Sequence, residues 1–359
     1  MEIKVDRAKT LKAKPDFKNL VFGKYFTDHM FRMDYSDELG WHNPRICPNE
    51  PIPMDPATTV FHYSQSIFEG LKAYKNAQTG RITCFRSRDN FRRLNRSCER
   101  MCIPTFDVEV AMQGMKKLLE IDSDWIPTDP GTSIYIRPTI IGTDIQLGVK
   151  ASHTYIFYII LSPVSAYYAH GLEPVSIYVE DKYVRAVVGG TGDIKCGANY
   201  AISLKAGEIA KTKGFDQVLW LDGREKKYVE EVGSMNIVFV FGDEVATPEL
   251  TGSILPGITR DSVLQLLRKE GKYKVSERHI SIEEVVEGAK SGRLTECFGT
   301  GTAAVVSPVG CLNYQGVDYQ IGGGKMGALT QHLYDSITGI QYGVRPDPFG
   351  WVFDLQDIE

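Results

Sequence analysis

The most apolar run in the chain, YIFYIIL at 155–161, has the length of a β-strand and is far too short to cross a membrane as a helix. The other apolar runs are of similar length, and stretches with helical periodicity separate them. That alternation confines the 359 residues to an α/β architecture, and their number suggests about two domains. In the first half, strands are expected at 71–75 and 81–86, joined by the turn NAQTG, and at 133–141 and 154–161. A short helix is expected near Gln65–Glu69, with longer ones at 88–101 and 107–120. The first forty residues read as irregular or edge structure.

The stretch SPVSAYYAHGLEP (162–174) interrupts the pattern with two prolines and a glycine, which places a domain boundary there. The expected division is a smaller N-terminal α/β domain over 1–165, a linker over 166–174 and a larger C-terminal domain over 175–359. The second half is richer in strand, with runs at 175–180, 183–188, 217–221, 227–232, 236–241, 294–298 and 303–307. Its helices are expected at 199–213, 258–270, 281–289 and 326–339.

A formal net charge of −4 argues against nucleic acid or an acidic membrane surface as partner. Seven cysteines without a CxxC pair read as reduced thiols, although Cys98 and Cys102 could share one helix face. No stretch near the N-terminus has the apolar core of a signal peptide, so a cytoplasmic protein is expected.

The candidate chemistry centres on GGTGDIKCGANY (189–200), where glycines crowd around Lys195. Glycine costs backbone entropy, so such a cluster marks a sharp bend or a close approach to something. A lysine that acts covalently needs a reachable, partly desolvated amine in a rigid frame. Asn199 is a plausible cap for the helix that follows. In LPGITR (255–260), Gly257 precedes a helix whose free N–H groups suit a phosphate. Alternation in YVEEV puts one of Glu230 and Glu231 inward, where a carboxylate requires a cation. The basic helix offers several arginines, any one of which can fork onto a phosphate. A lysine, a phosphate cradle, an arginine and an inward carboxylate are the parts that pyridoxal 5′-phosphate requires.

FHYSQSIFEGLKAYK, YIRPTIIG, GGTGDIKCGANY, EEVGSMN, LPGITR, SERHI and FGTGTAAVVSPV together resemble the branched-chain amino acid aminotransferases, in order from about Asp16 to the C-terminus. These are class IV enzymes of pyridoxal phosphate fold type IV. The resemblance implies a two-domain α/β (α+β) chain whose larger C-terminal domain is barrel-like. It also implies a homodimer whose subunits share side chains at each active site. It makes Lys195 the Schiff-base lysine and proton carrier. Tyr200 then meets the cofactor's phenolic oxygen and Glu231, rather than Glu230, its ring nitrogen. Arg93, Ile258, Thr259 and Thr302 serve the phosphate, and Ser234 stands where the family often has threonine.

On the substrate side, the resemblance implies walls built from Tyr63, Phe68, Tyr135, Val149 and Tyr167. Arg137 meets the distal carboxylate of glutamate, while Thr302 and Ala303 offer backbone donors to the α-carboxylate. The implied reaction is reversible ping-pong transamination between L-leucine, L-isoleucine or L-valine and 2-oxoglutarate. Some members of the family carry a redox-sensitive CxxC where Ala304 and Ser307 stand here, so no thiol switch is expected at that place. D-amino acid aminotransferases and aminodeoxychorismate lyases share the fold type, but they lack the long N-terminal region with its FHYSQSIFEGLKAYK and YIRP motifs.

Overall fold

The computed structural model describes residues 1–165 and 172–358. Strands β1 (Lys4–Val5), β2 (His29–Ser36), β3 (Gly40–Pro48), β4 (Ser66–Phe68), β5 (Leu71–Lys75), β6 (Ile82–Phe85), β7 (Ser133–Gly142) and β8 (Thr154–Val164) belong to one sheet. Strands β9 (Val175–Glu180), β10 (Gln217–Leu221), β11 (Val229–Val232), β12 (Met235–Phe241), β13 (Glu244–Thr247), β14 (Lys274–Glu277), β15 (Leu294–Gly301), β16 (Val305–Tyr314) and β17 (Val317–Gln320) form a second, and β18 (Val352–Asp354) returns to the first. The helices are α1 (Thr59–Tyr63), α2 (Ser87–Arg100), α3 (Val108–Ile121), α4 (Gly197–Ala201), α5 (Leu204–Thr212), α6 (Ile258–Glu270), α7 (Ile282–Ser291) and α8 (Ala328–Gln341). The mixed α/β architecture is therefore as expected.

By contacts the chain forms two compact units. The first comprises Met1–Tyr167, Lys195–Gly197 and Gly339–Glu359, and the second comprises Tyr168–Ile194 and Ala198–Thr338. In the first unit the sheet runs β1-β3-β2-β8-β7-β5-β6-β18, with β4 on β7. Strand β2 lies inside this sheet, between β3 and β8, so the first forty residues contain a core strand where irregular structure was expected. Its register sets Phe31 and Met33, both fully buried, on the inner face. Charges at Arg32 and Asp34 fill the alternate positions. Asp107 caps α3 by accepting the Glu109 N–H at 2.9 Å. Helix α3 then packs on β2.

That packing is close enough to need a glycine. A Cβ on Gly114 would lie 2.5 Å from the Phe31 ring. Gly114→Ala is expected to cost about 1–3 kcal/mol by overpacking, of which better helix propensity recovers about 1 kcal/mol. A lowered denaturant midpoint at unchanged m-value checks this, and an unchanged or raised midpoint would contradict it.

In the second unit β11-β10-β9-β16-β15-β12 pair in series, and β12 pairs again with β11. Six strands therefore close into a barrel, which matches the barrel-like expectation. Closure leaves its strands without free edges. Further local expectations fail. Residues 65–69 do not form a helix; α1 comes earlier and Ser66–Phe68 is a strand on β7. Residues 183–188 form no strand. Cys102 lies beyond the end of α2 at φ +53°, off the face that carries Cys98.

Candidate active site

In the first unit, Lys195 is held by its backbone. Its carbonyl accepts the Phe68 N–H at 3.0 Å, and its own N–H donates to Ser97 Oγ on α2 at 3.2 Å. Cys196 bridges Ile67, so the segment extends the edge of β4. The half-buried Lys195 places Nζ 5.0 Å from the centre of the Phe68 ring. The Arg137 guanidinium stacks on the same ring at 4.7 Å and donates to Tyr135 Oη at 3.3 Å. Two cations on one aromatic ring make a local field that favours anionic groups of a ligand. Gly70 is required beside them, because a Cβ there would run into Tyr135 Oη.

Arg93 forms a buried fork with Glu69, donating from Nε at 2.7 Å and from Nη2 at 2.9 Å. Glu69 also accepts from Asn90 Nδ2 at 2.9 Å and from the Gly70 N–H at 3.1 Å. Burial alone would push the Glu69 carboxyl up. The charge and hydrogen bonds of Arg93, followed by the charge of Lys195 and the Asn90 bond, outweigh it and hold the carboxyl below its ordinary value.

In the second unit, Asn199 does not cap a helix. It lies within α4 and clamps the glycine-rich loop, donating to the carbonyls of Thr191 at 2.7 Å and Ile194 at 2.9 Å. Tyr200, Glu231 and Ser234 line one narrow pocket together with Arg185 and Leu255. The two-residue turn Gly233–Ser234 joins β11 to β12, with Gly233 at φ +56°. Glu231 accepts the Leu255 N–H at 2.8 Å and sits 3.3 Å from Arg185 Nε. Glu230 and Glu231 were expected to lie one in and one out, yet both are buried. Alternation directs them to two different pockets.

Helix α6 begins at Ile258 and Thr259 after Gly257, with no side chain capping it. A Cβ on Gly257 would run into Asn236 Oδ1, and Asn236 pairs with Thr300 across β12 and β15. The buried Thr300 hydroxyl has no hydrogen-bond partner among the described residues. Thr302 and Ala303 follow at the end of β15, half-exposed. A helix start with glycine at its cap position, beside that hydroxyl, fits a phosphate group.

The remaining wall residues are more open. Tyr63 donates to the Leu147 carbonyl, Val149 is 84% exposed, and Tyr167 lies outside the described residues. The sequence reading missed Glu69, Arg185 and Lys72. Lys72 is a buried amine opposite Tyr135, pushed down to about 8 by burial. The signal for Glu69 was a charge set between Phe68 and Gly70 in a motif already singled out, whereas Arg185 was hidden in an expected strand.

Residues 66–310 match the family described as amino-transferase class IV. The chain belongs to this family of class IV aminotransferases. It is 55% identical to branched-chain-amino-acid aminotransferase 2 of Bacillus subtilis, over 98% of this chain and 97% of that one. It is 53% identical to branched-chain-amino-acid transaminase 1 of the same organism, over 98% and 99%. Among solved structures, the Escherichia coli branched-chain amino acid aminotransferase superposes with a TM-score of 0.77 at 26% identity, covering 91% of this chain and 99% of that one. A second solved structure of branched-chain amino acid aminotransferase from that organism gives 0.74 at 25% identity, covering 92% and 99%.

Proposed function

We propose that the protein is a branched-chain-amino-acid aminotransferase, moving the amino group of L-leucine, L-isoleucine or L-valine reversibly onto 2-oxoglutarate. The observation that carries this reading is the placing of Lys195 and Arg137 on one Phe68 ring. An apolar wall accepts a branched side chain, and a cation at its margin accepts the second carboxylate of glutamate. The near-full-length likeness to enzymes named for this activity supports it.

Pyridoxal 5′-phosphate, when bound, supplies the electron sink for the charge left at the substrate's α-carbon. The residues present fit it. In the second unit, Glu231 is an anion suited to a protonated ring nitrogen, and Tyr200 offers a phenol for the ring's oxygen. The Ile258–Thr259 helix start, Thr302 and Ser234 offer donors to a phosphate. In the first unit, Arg93 would supply a guanidinium to the phosphate and Lys195 the amine that would hold the group. Lys195 Nζ removes the α-proton from the amino acid and returns it on the other side of the exchange, as base and then acid. Arg137 orients the distal carboxylate. Phe68 and Tyr135 exclude water from the branched side chain, Tyr63, Val149 and Tyr167 are assigned to the outer wall, and the Thr302 and Ala303 N–H groups hold the α-carboxylate. Release of one 2-oxo acid before the other binds makes the sequence ping-pong.

We further assign a homodimer acting in the cytoplasm, divided into domains at 1–165 and 175–359. The family resemblance supports the dimer, and the charge and thiol content support the compartment. With pyridoxal phosphate added, the purified protein is expected to form glutamate from L-leucine and 2-oxoglutarate, with D-alanine at least about 100-fold slower. Preference for D-alanine would transfer the protein to the D-amino acid branch of the class.

A further inference from the structure

Glu230, on the other face of β11 from Glu231, lines a separate cavity of about 300 Å³ within the second unit. The Glu230 residue is 5% exposed. Its Oε1 accepts from Ser253 Oγ, and its buried Oε2 has no hydrogen-bond partner among the described residues. Such an atom bears an unrelieved desolvation cost. Burial pushes this carboxyl above its ordinary value, against the pull of Ser253 and Arg185.

The other charged groups around the chamber are largely engaged. Asp222 accepts four backbone N–H groups, from Arg224, Glu225, Lys227 and Tyr228. Arg278 is forked onto Glu244 and Glu284, and His279 pairs with Glu249 at 2.8 Å. Val229, Pro248 and Ile254 supply apolar wall, and Val188, 69% exposed, marks the mouth. The volume lies at the lower end of small-molecule sites, which run from roughly 300 Å³ upward.

We propose that this cavity is a second small-molecule site, taking a primary ammonium on a short branched apolar body with the ammonium bonded to Glu230 Oε2. A cationic donor is favoured over a neutral one because it leaves the buried carboxyl ionised and paired, which makes the stronger bond. The apolar body replaces solvent against Val229, Pro248 and Ile254.

The test is calorimetric titration of the holoenzyme, held in its pyridoxamine phosphate form so that an added amine cannot react, with 3-methylbutylamine. One equivalent is expected to bind, at least tenfold more weakly to Glu230→Gln and to Val188→Trp, with 3-methylbutanol binding at least tenfold more weakly to wild type. Val188 is exposed, so Val188→Trp blocks the mouth without disturbing the core and decides the matter if Glu230→Gln fails to fold. Absence of binding to wild type, equal binding of the alcohol, or unchanged affinity in Val188→Trp would each overturn the assignment.

Discussion

Lys195→Ala is expected to lose leucine transamination by at least about 10³-fold while keeping an unfolding midpoint close to that of wild type. A positioned acid–base group alone is worth about 10²–10⁴ in rate, and this amine is assigned the covalent role as well. The fold should survive because the residue is anchored through its backbone, to the Phe68 N–H and to Ser97 Oγ, and alanine keeps both bonds. Glu69 retains its fork to Arg93. Lys195→Arg separates charge from chemistry. It keeps a cation near Phe68, but a guanidinium does not give up its proton in a protein, so this variant should be as inactive as alanine. Glutamate formation and chemical unfolding, measured on the same preparations, check both halves. Activity within tenfold of wild type in either variant would remove Lys195 from the reaction.

The elements that could be read from sequence were those whose signals are local. Leu71–Lys75, Val175–Glu180, Gln217–Leu221 and Ile258–Glu270 were placed to the residue, because alternation, flanking turns or a glycine punctuates them. Strand β2 escaped notice because Arg32 and Asp34 dilute an otherwise apolar run. That pair satisfies itself at 3.0 Å and Asp34 also meets Arg45 of β3, so both charges sit half-buried at no great cost. Residues 65–69 looked helical because the strand-favouring pair Ile67 and Phe68 lies in a run too short to show alternation. Ser66–Phe68 is a strand because β7 and the Lys195 segment offer it backbone partners, which is information from distant parts of the chain. The site divides in the same way. Lys195 stood out by its glycines and Glu231 by its motif. The partners Glu69 and Arg185 are long-range choices, and nothing near them in sequence names the residue each one meets.

Glu69→Gln is expected to destabilise the protein by about 3–5 kcal/mol, the usual cost of breaking a buried ion pair from one side. Glu69 is fully buried and the Arg93 side chain is 9% exposed, so the glutamine would leave a desolvated guanidinium facing a neutral amide whose NH₂ can only repel it. Asn90 and the Gly70 N–H would compete for the one remaining oxygen. If the loss comes from the stranded charge rather than from packing, Glu69→Gln combined with Arg93→Gln should be less destabilised than the sum of the two single changes, by at least about 1 kcal/mol. The pH dependence has a definite sign. The folded carboxyl titrates below its ordinary value of 4.5, so the unfolded chain binds the proton more readily. The pair's contribution is therefore complete above the unfolded value and disappears as pH falls through the lower, folded one. Wild type should lose stability across that acid window, and Glu69→Gln should show a flatter profile there. Parallel profiles would mean that Glu69 is not the group responsible, and strictly additive single changes would mean that the fork to Arg93 contributes shape and not charge. Since Arg93 is also the arginine assigned to a phosphate, the same variant separates two roles. A weaker hold on pyridoxal phosphate at a pH and temperature where the variant is fully folded would show that Glu69 sets the guanidinium in place for its ligand, beyond holding the core together.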